Sequence, residues 1–141
     1  MSVKKDRVDV VRYLLSLPEV DPAARDNRAV RLAAFSHLET IMALCEDSRV
    51  DPTAQDNDVL RATCEFGKTD IVEFLLTLDA VDPSAKNNSA LSKAVENGHV
   101  DVVRLLLASK RVNPHAVARS VLEKAAQKGY TEIVELISNY E

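Results

Sequence analysis

Several things are scarce in this sequence, and each scarcity excludes something. There is no run of about 18 apolar residues, the length a spanning helix needs, so no membrane association is expected. No charged-then-apolar leader opens the chain, and we expect a soluble, cytoplasmic protein. Lys and Arg number 18 against 22 Asp and Glu, a net charge of −4. Without a basic excess to meet phosphates, a general nucleic-acid binder is not expected. The two cysteines, Cys45 and Cys64, cannot make a disulfide framework. Cys45 takes the place held by Leu76 and Leu107, and Cys64 that of Val95 and Ala126, so both read as buried structural thiols. Three isolated glycines cannot build a phosphate loop.

What is present is a repeat. Val-Asp-Pro stands at Val20-Asp21-Pro22, Val50-Asp51-Pro52 and Val81-Asp82-Pro83, and returns as Val112-Asn113-Pro114, in steps of 30, 31 and 31 residues. A period in that range marks a stacked array, in which one unit cannot bury its apolar face alone. The 141 residues are expected to form a single repeat domain: full units at 26–55, 56–86 and 87–117, a C-terminal helix pair at 118–141, and a partial unit at 1–25. Asp9-Val10-Val11-Arg12 sits where Asp101-Val102-Val103-Arg104 sits, so the chain is expected to open on the tail of one helix and the whole of the next.

Each unit carries two short amphipathic patterns. The first, around 28–35, 58–66, 89–97 and 120–128, places apolar residues at spacings of three and four and favours small ones, as Leu91, Ala94 and Val95 show. The second, around 39–46, 70–78, 101–109 and 132–139, is bulkier. Val102, Val103, Leu106 and Leu107 are expected inside, Asp101 and Arg104 outside. An acidic residue opens each second helix (Asp9, Glu39, Asp70, Asp101, Glu132), where the positive end of the helix dipole favours it. Gly67, Gly98 and Gly129 all fall between the two helices, where a left-handed residue after a helix wants no Cβ. Phe35-Ser36-His37 lacks that glycine, so its unit must turn differently. Asp or Asn followed by Pro reads as a tight turn after each second helix, and Pro18 as an early helix end. Asn27, Asn57 and Asn88 read as caps of the first helices.

The segment Val95-Glu96-Asn97-Gly98-His99-Val100-Asp101-Val102-Val103-Arg104-Leu105-Leu106-Leu107, copied more loosely at Cys64–Leu76 and Ala126–Ile137, resembles the AAxxGHxxVVxLLL segment of the ankyrin repeat. The resemblance implies an all-α, right-handed ankyrin-like solenoid of stacked helix–turn–helix repeats. Two departures stand out. The units are shorter than the family's roughly 33 residues. The family's Thr-Pro-Leu-His is reduced to Arg28-Ala29-Val30-Arg31, Asp58-Val59-Leu60-Arg61, Ser89-Ala90-Leu91-Ser92 and Ser120-Val121-Leu122-Glu123. The inter-repeat loop is therefore expected to shrink, leaving little or no β-hairpin.

No catalytic constellation is visible. His99 and its counterpart His37 read as local hydrogen-bonding residues, His115 lies in a loop, and none has metal-ligand spacing. No metal or cofactor is expected, and no enzyme, since a catalytic site is asymmetric whereas the informative residues here are periodic. The resemblance implies protein–protein interaction on a concave face, through loop tips and the exposed end of each first helix. Carried over, the helix-end pairs are Phe35/Ser36, Glu65/Phe66, Glu96/Asn97 and Gln127/Lys128. The loop-side pairs are Arg25/Asn27, Gln55/Asn57, Lys86/Asn88 and Val117/Arg119. Two of three phenylalanines thus stand in partner-facing columns, unless Phe35 tucks inward where the glycine is missing.

Charge divides as well. Arg25, Arg28, Arg31, Arg61, Lys86, Lys93 and Lys124 lie on the loop and first-helix side. Asp9, Glu39, Glu46, Asp47, Asp70, Glu73, Asp101, Glu132 and Glu135 lie on the second-helix side. Solubility and dipole matching explain this division; so does a groove that prefers an acidic peptide. The expected partner is another protein or peptide bound to a monomer. The other reading is a structural spacer, or a fragment of a longer array attached to another functional domain.

Overall fold

The computed structural model of the chain describes residues 3–140. These form nine α-helices and one 3₁₀ turn, with no strand among the described residues. In chain order they are α1 (Val3–Leu15), α2 (Ala24–Ala33), α3 (Leu38–Glu46), α4 (Ala54–Glu65), α5 (Thr69–Leu76), α6 (Ala85–Glu96) and α7 (Val100–Ala108). The 3₁₀ turn Pro114–Ala116 follows, then α8 (Arg119–Gln127) and α9 (Thr131–Ser138). The residues gather into two compact units, one up to Val59 and one from Leu60 on, divided within α4.

The Asx-Pro turns form as their chemistry dictates. A side-chain oxygen of Asp21 accepts from the Ala23 N–H at 2.9 Å, and Asn113 from the His115 N–H at 3.0 Å. Asp51 accepts from both the N–H (2.8 Å) and hydroxyl (2.6 Å) of Thr53, and Asp82 from both groups of Ser84 (2.9 and 2.6 Å). These are Asx turns, a side chain standing in for a backbone acceptor. The Ser84 hydroxyl and N–H together hold the Asp82 carboxyl below its ordinary range.

After three of the turns the backbone runs left-handed for three consecutive residues. Arg25-Asp26-Asn27 have φ of 55°, 56° and 60°, and Gln55-Asp56-Asn57 and Lys86-Asn87-Asn88 match them closely. The conformation costs L-residues about 1–2 kcal/mol each, least for Asn and Asp, whose short side chains bond locally. The third residue is asparagine every time, and it is buried: Asn27 8% exposed, Asn57 8%, Asn88 6%. Asn27 Oδ1 accepts from the Asp51 N–H at 2.7 Å, and Asn88 Oδ1 from the Asn113 N–H at 2.8 Å. Those two asparagines therefore fasten the following Asx turn instead of capping a helix. The last unit has Val117-Ala118-Arg119 there. Val117 and Ala118 are extended (φ −69° and −62°), since a β-branched residue is an outlier at positive φ.

At the corner between helices, Gly67, Gly98 and Gly129 have φ of 70°, 73° and 85°. The next N–H reaches back five residues in each case: Lys68 to the Thr63 carbonyl, His99 to Ala94 and Tyr130 to Ala125, at 2.9–3.0 Å. This is the Schellman closure. Two of these glycines have a second reason. A Cβ on Gly67 would lie 2.6 Å from His99 Nδ1, and one on Gly98 would lie 2.7 Å from Tyr130 Cζ; around Gly129 nothing lies within 4 Å. The glycine-free unit closes with tight i→i−3 bonds instead, Phe35 N–H to the Leu32 carbonyl and Ser36 N–H to Ala33, without any left-handed residue.

Packing follows the two helix patterns. In the second unit α6 buries Ala90, Leu91, Ala94 and Val95 and lies against α7 and α8. α7 buries Val102, Val103, Leu106 and Leu107 and leaves Asp101 and Arg104 exposed. In the first unit α1 and α2 both lean on α3. Arginines fasten helix ends: Arg49 donates to the Leu15 and Val20 carbonyls (3.0 and 2.9 Å), and Arg111 to Leu76 and Val81 (both 2.8 Å). Such cations suit helix C-termini, where carbonyls lack partners.

Two expectations need correction. α1 is one continuous helix, so Asp9 lies inside it and not at its start. Asp6 stands where Gly98 does, leaving no left-handed break. Cys64 is buried, and burial pushes its thiol up. Cys45 is only half-buried, its thiol pushed up to about 11 by the same cause.

Candidate functional site

The helix-end columns emerge where the corner begins. Phe35 is 57% exposed and Phe66 53%, so neither tucks inward. Ser36, Glu65 and Glu96 are half-buried and Asn97 is exposed. Each has backbone or side-chain duties besides. The Glu65 carbonyl accepts from His99 Nε2 at 2.9 Å, which fixes the proton on that nitrogen because a carbonyl only accepts. Glu96 lies 3.7 Å from Lys93, and Asn97 donates to the Lys93 carbonyl at 2.8 Å.

The loop-side column divides. Arg25 and Lys86 are exposed. Asn27 and Asn57, expected there as partner-facing residues, are buried, because the left-handed turn rolls its third residue under the chain. They belong to the framework. Gln55 is exposed and donates to the Asp26 carboxylate.

The basic side is thinner than its sequence suggests. Arg31 donates to the Asp26 and Arg25 carbonyls at 3.1 and 3.3 Å and lies 3.9 Å from Asp58, so its guanidinium closes the left-handed turn. Arg25, Arg28, Lys86 and Lys124 remain exposed. On the second helices Arg104 pairs with Asp101 and Glu132, and Arg12 lies 3.8 Å from Glu46. Arg49 holds Asp47 well down, at about 2, through side-chain and backbone hydrogen bonds. Exposed pairs such as Arg12 with Glu46 contribute little, because water screens them and holding two long side chains costs entropy.

Among the described residues no three His, Cys, Asp or Glu gather as metal ligands, and no helix is long and apolar enough to cross a membrane. A cavity of about 670 Å³ between α7 and α9 is lined by Arg104, Lys110, Glu132, Glu135 and Tyr140 among others.

Helix pairs joined by a glycine corner, with His99 seated over the preceding glycine, agree with comparison to known proteins. The family described as ankyrin repeats (3 copies) matches residues 29–118 and, overlapping, 59–141. The chain belongs to the ankyrin-repeat family. It is also similar to alpha-latrocrustotoxin-Lt1a of Latrodectus tredecimguttatus, at 31% identity over 53% of this chain and 6% of that protein. The chain thus corresponds to a small part of that relative's length. Ankyrin repeats are generally protein–protein interaction modules and typically non-catalytic.

Three framework devices of this ankyrin chain are not apparent from its sequence pattern: the left-handed triplets, the aromatic ring over the preceding glycine, and the arginine fastenings. Signals exist for two. His99 and Tyr130 both directly follow a corner glycine, and Arg49 and Arg111 both directly precede the Val of a Val-Asp-Pro or Val-Asn-Pro turn.

Proposed function

We propose that this chain binds another protein or peptide through the ends of its first helices and the adjoining loop side, without catalysis. The observation that carries the proposal is the exposure of Phe35 and Phe66, each more than half accessible at the same corner of its repeat. Large aromatics are frequent binding anchors, and an exposed ring that becomes buried contributes apolar area at little entropic cost. In the first unit the contributing residues are Phe35, Ser36, Arg25 and Arg28. In the second they are Glu65, Phe66, Glu96, Asn97 and Lys86. The exposed cations favour a partner with acidic residues beside its apolar anchor, and such binding weakens as salt rises.

The test is affinity capture with the intact chain from a lysate of its source, in parallel with Phe66→Ala and Phe35→Ala, followed by calorimetry on the captured partner. Phe66→Ala is expected to weaken binding by about 1–3 kcal/mol with the melting temperature unchanged. A partner whose affinity stays within about 0.5 kcal/mol in both variants contradicts the proposal.

A further inference from the structure

Within the second unit the corners of the first helices form an even row. At the end of α4 the Glu65 carbonyl accepts from His99 Nε2 (2.9 Å), and at the end of α6 the Glu96 carbonyl accepts from Lys128 Nζ (3.3 Å). Each step of one repeat is thus tied at the same place. Close approach between α6 and α8 is favoured by small buried residues, Ala90 and Ala94 on one and Ala125 on the other. Packed helices lie about 8–10 Å apart, depending on the side chains at the contact.

Chemistry changes along that row. The residue just past each helix end is Phe66, then Asn97, then Lys128, at steps of 31 residues. One helical turn earlier stand Ala62, Lys93 and Lys124. Phe66, Asn97, Lys124 and Lys128 are all exposed. Lys93 keeps 42% of its side chain accessible although α7 and α8 pack on its helix. Its Nζ reaches to 3.7 Å from Glu96 Oε2, beside the corner, and so open a pair leaves the ammonium available. An aromatic ring opens the row and three ammonium groups follow it.

One backbone conformation is commensurate with such a row. A polyproline II helix rises about 3.1 Å per residue with three residues per turn, so every third side chain returns to one face about 9.3 Å on. In a β-strand the residue three positions on faces the opposite way, and two turns of an α-helix overshoot at about 10.8 Å. Resting on the partner surface assigned above, we propose that this row receives a polyproline II segment of the partner. The segment sets an apolar side chain against Phe66 and carboxylates three and six residues from it against Lys93 and the Lys124–Lys128 pair. Aromatic surfaces suit this conformation, which is extended before binding and so loses little entropy. Lys128 has two N–H donors left beside its bond to the Glu96 carbonyl.

The probes are a proline-rich peptide with leucine followed by glutamates three and six residues on, and the same sequence reversed. Each is titrated into the intact, isotope-labelled chain and followed by NMR. Saturable shifts are expected at the amides of Phe66, Asn97 and Lys128 with at least one of the two. Moving the glutamates to two and four residues from the leucine should weaken binding about tenfold or more. Lys124→Glu should do the same while leaving the spectrum of the free chain otherwise unchanged. The proposal is overturned if no saturable shift appears by about 1 mM peptide. It is equally overturned if the respaced peptide, or a lactam-held α-helix with the same residues seven apart, binds as well. Phe66→Ala then separates the two readings. A loss of binding keeps the corner surface and removes only the extended register, whereas unchanged binding removes both. Where no probe binds, Phe66→Ala against the captured partner decides the surface by itself.

Discussion

At the scale of single residues, the three glycines separate two effects that usually travel together. All have positive φ, so an added Cβ costs about 1–2 kcal/mol at each. Only Gly67 and Gly98 also lie under a ring, that of His99 or Tyr130, and overpacking adds about 1–3 kcal/mol more. Gly67→Ala and Gly98→Ala are therefore expected to lower the urea unfolding free energy by about 2–5 kcal/mol, and Gly129→Ala by about 1–2. Equal losses at all three would mean the rings move aside. The place of these glycines and their sign of φ were legible in the sequence, because a glycine recurring just after each first helix answers the need for a left-handed corner. The ring above was not, because the contact joins neighbouring repeats. The thiols make a second prediction. Burial lifts Cys45 from an ordinary 9.0 to about 11 and lifts Cys64 as well. Folding keeps their protons on, so stability is full below pH 9 and falls between pH 9 and about 11, as the unfolded chain ionises first. Replacing Cys45 with Ser should lessen that fall in urea titrations over this range without removing it, because the more deeply buried Cys64 still ionises first in the unfolded chain. Iodoacetamide at pH 8 should modify Cys45 before Cys64, and the reverse order would contradict the burial described here.

At the scale of elements, helix spans after α1 follow closely from periodicity, because spacings of three and four leave few alternatives over two turns. The short links did not, since their shape comes from a hydrogen bond to the next repeat. Asn88 shows why. A cap was the local choice for an asparagine ahead of a helix, but Oδ1 meets the Asn113 N–H, 25 residues on. Asn88→Ala removes that bond, strands a part-buried N–H and places alanine at positive φ. It should cost about 2–4 kcal/mol in urea unfolding. Arg119→Ala, at the same column where the backbone is not left-handed, should stay within about 0.5 kcal/mol. A small loss at Asn88 would mean that the left-handed triplet is a minor preference and not a fastening.

At the scale of the whole molecule, the family was legible because one motif recurs at fixed register. The exposure of the columns proposed to face a partner was legible only in part. Phe35 and Phe66 are exposed as the register implies, while Asn27 and Asn57 left the surface through a backbone conformation no single residue announces. Which side of the repeats meets a partner is the central claim, and amide hydrogen exchange reads it directly. With a saturating captured partner, we predict added protection in residues 25–36, 58–67 and 86–98, and none in α3, α5 or α7. Protection confined to those second helices, with the first-helix ends exchanging as in the unbound chain, would contradict the account.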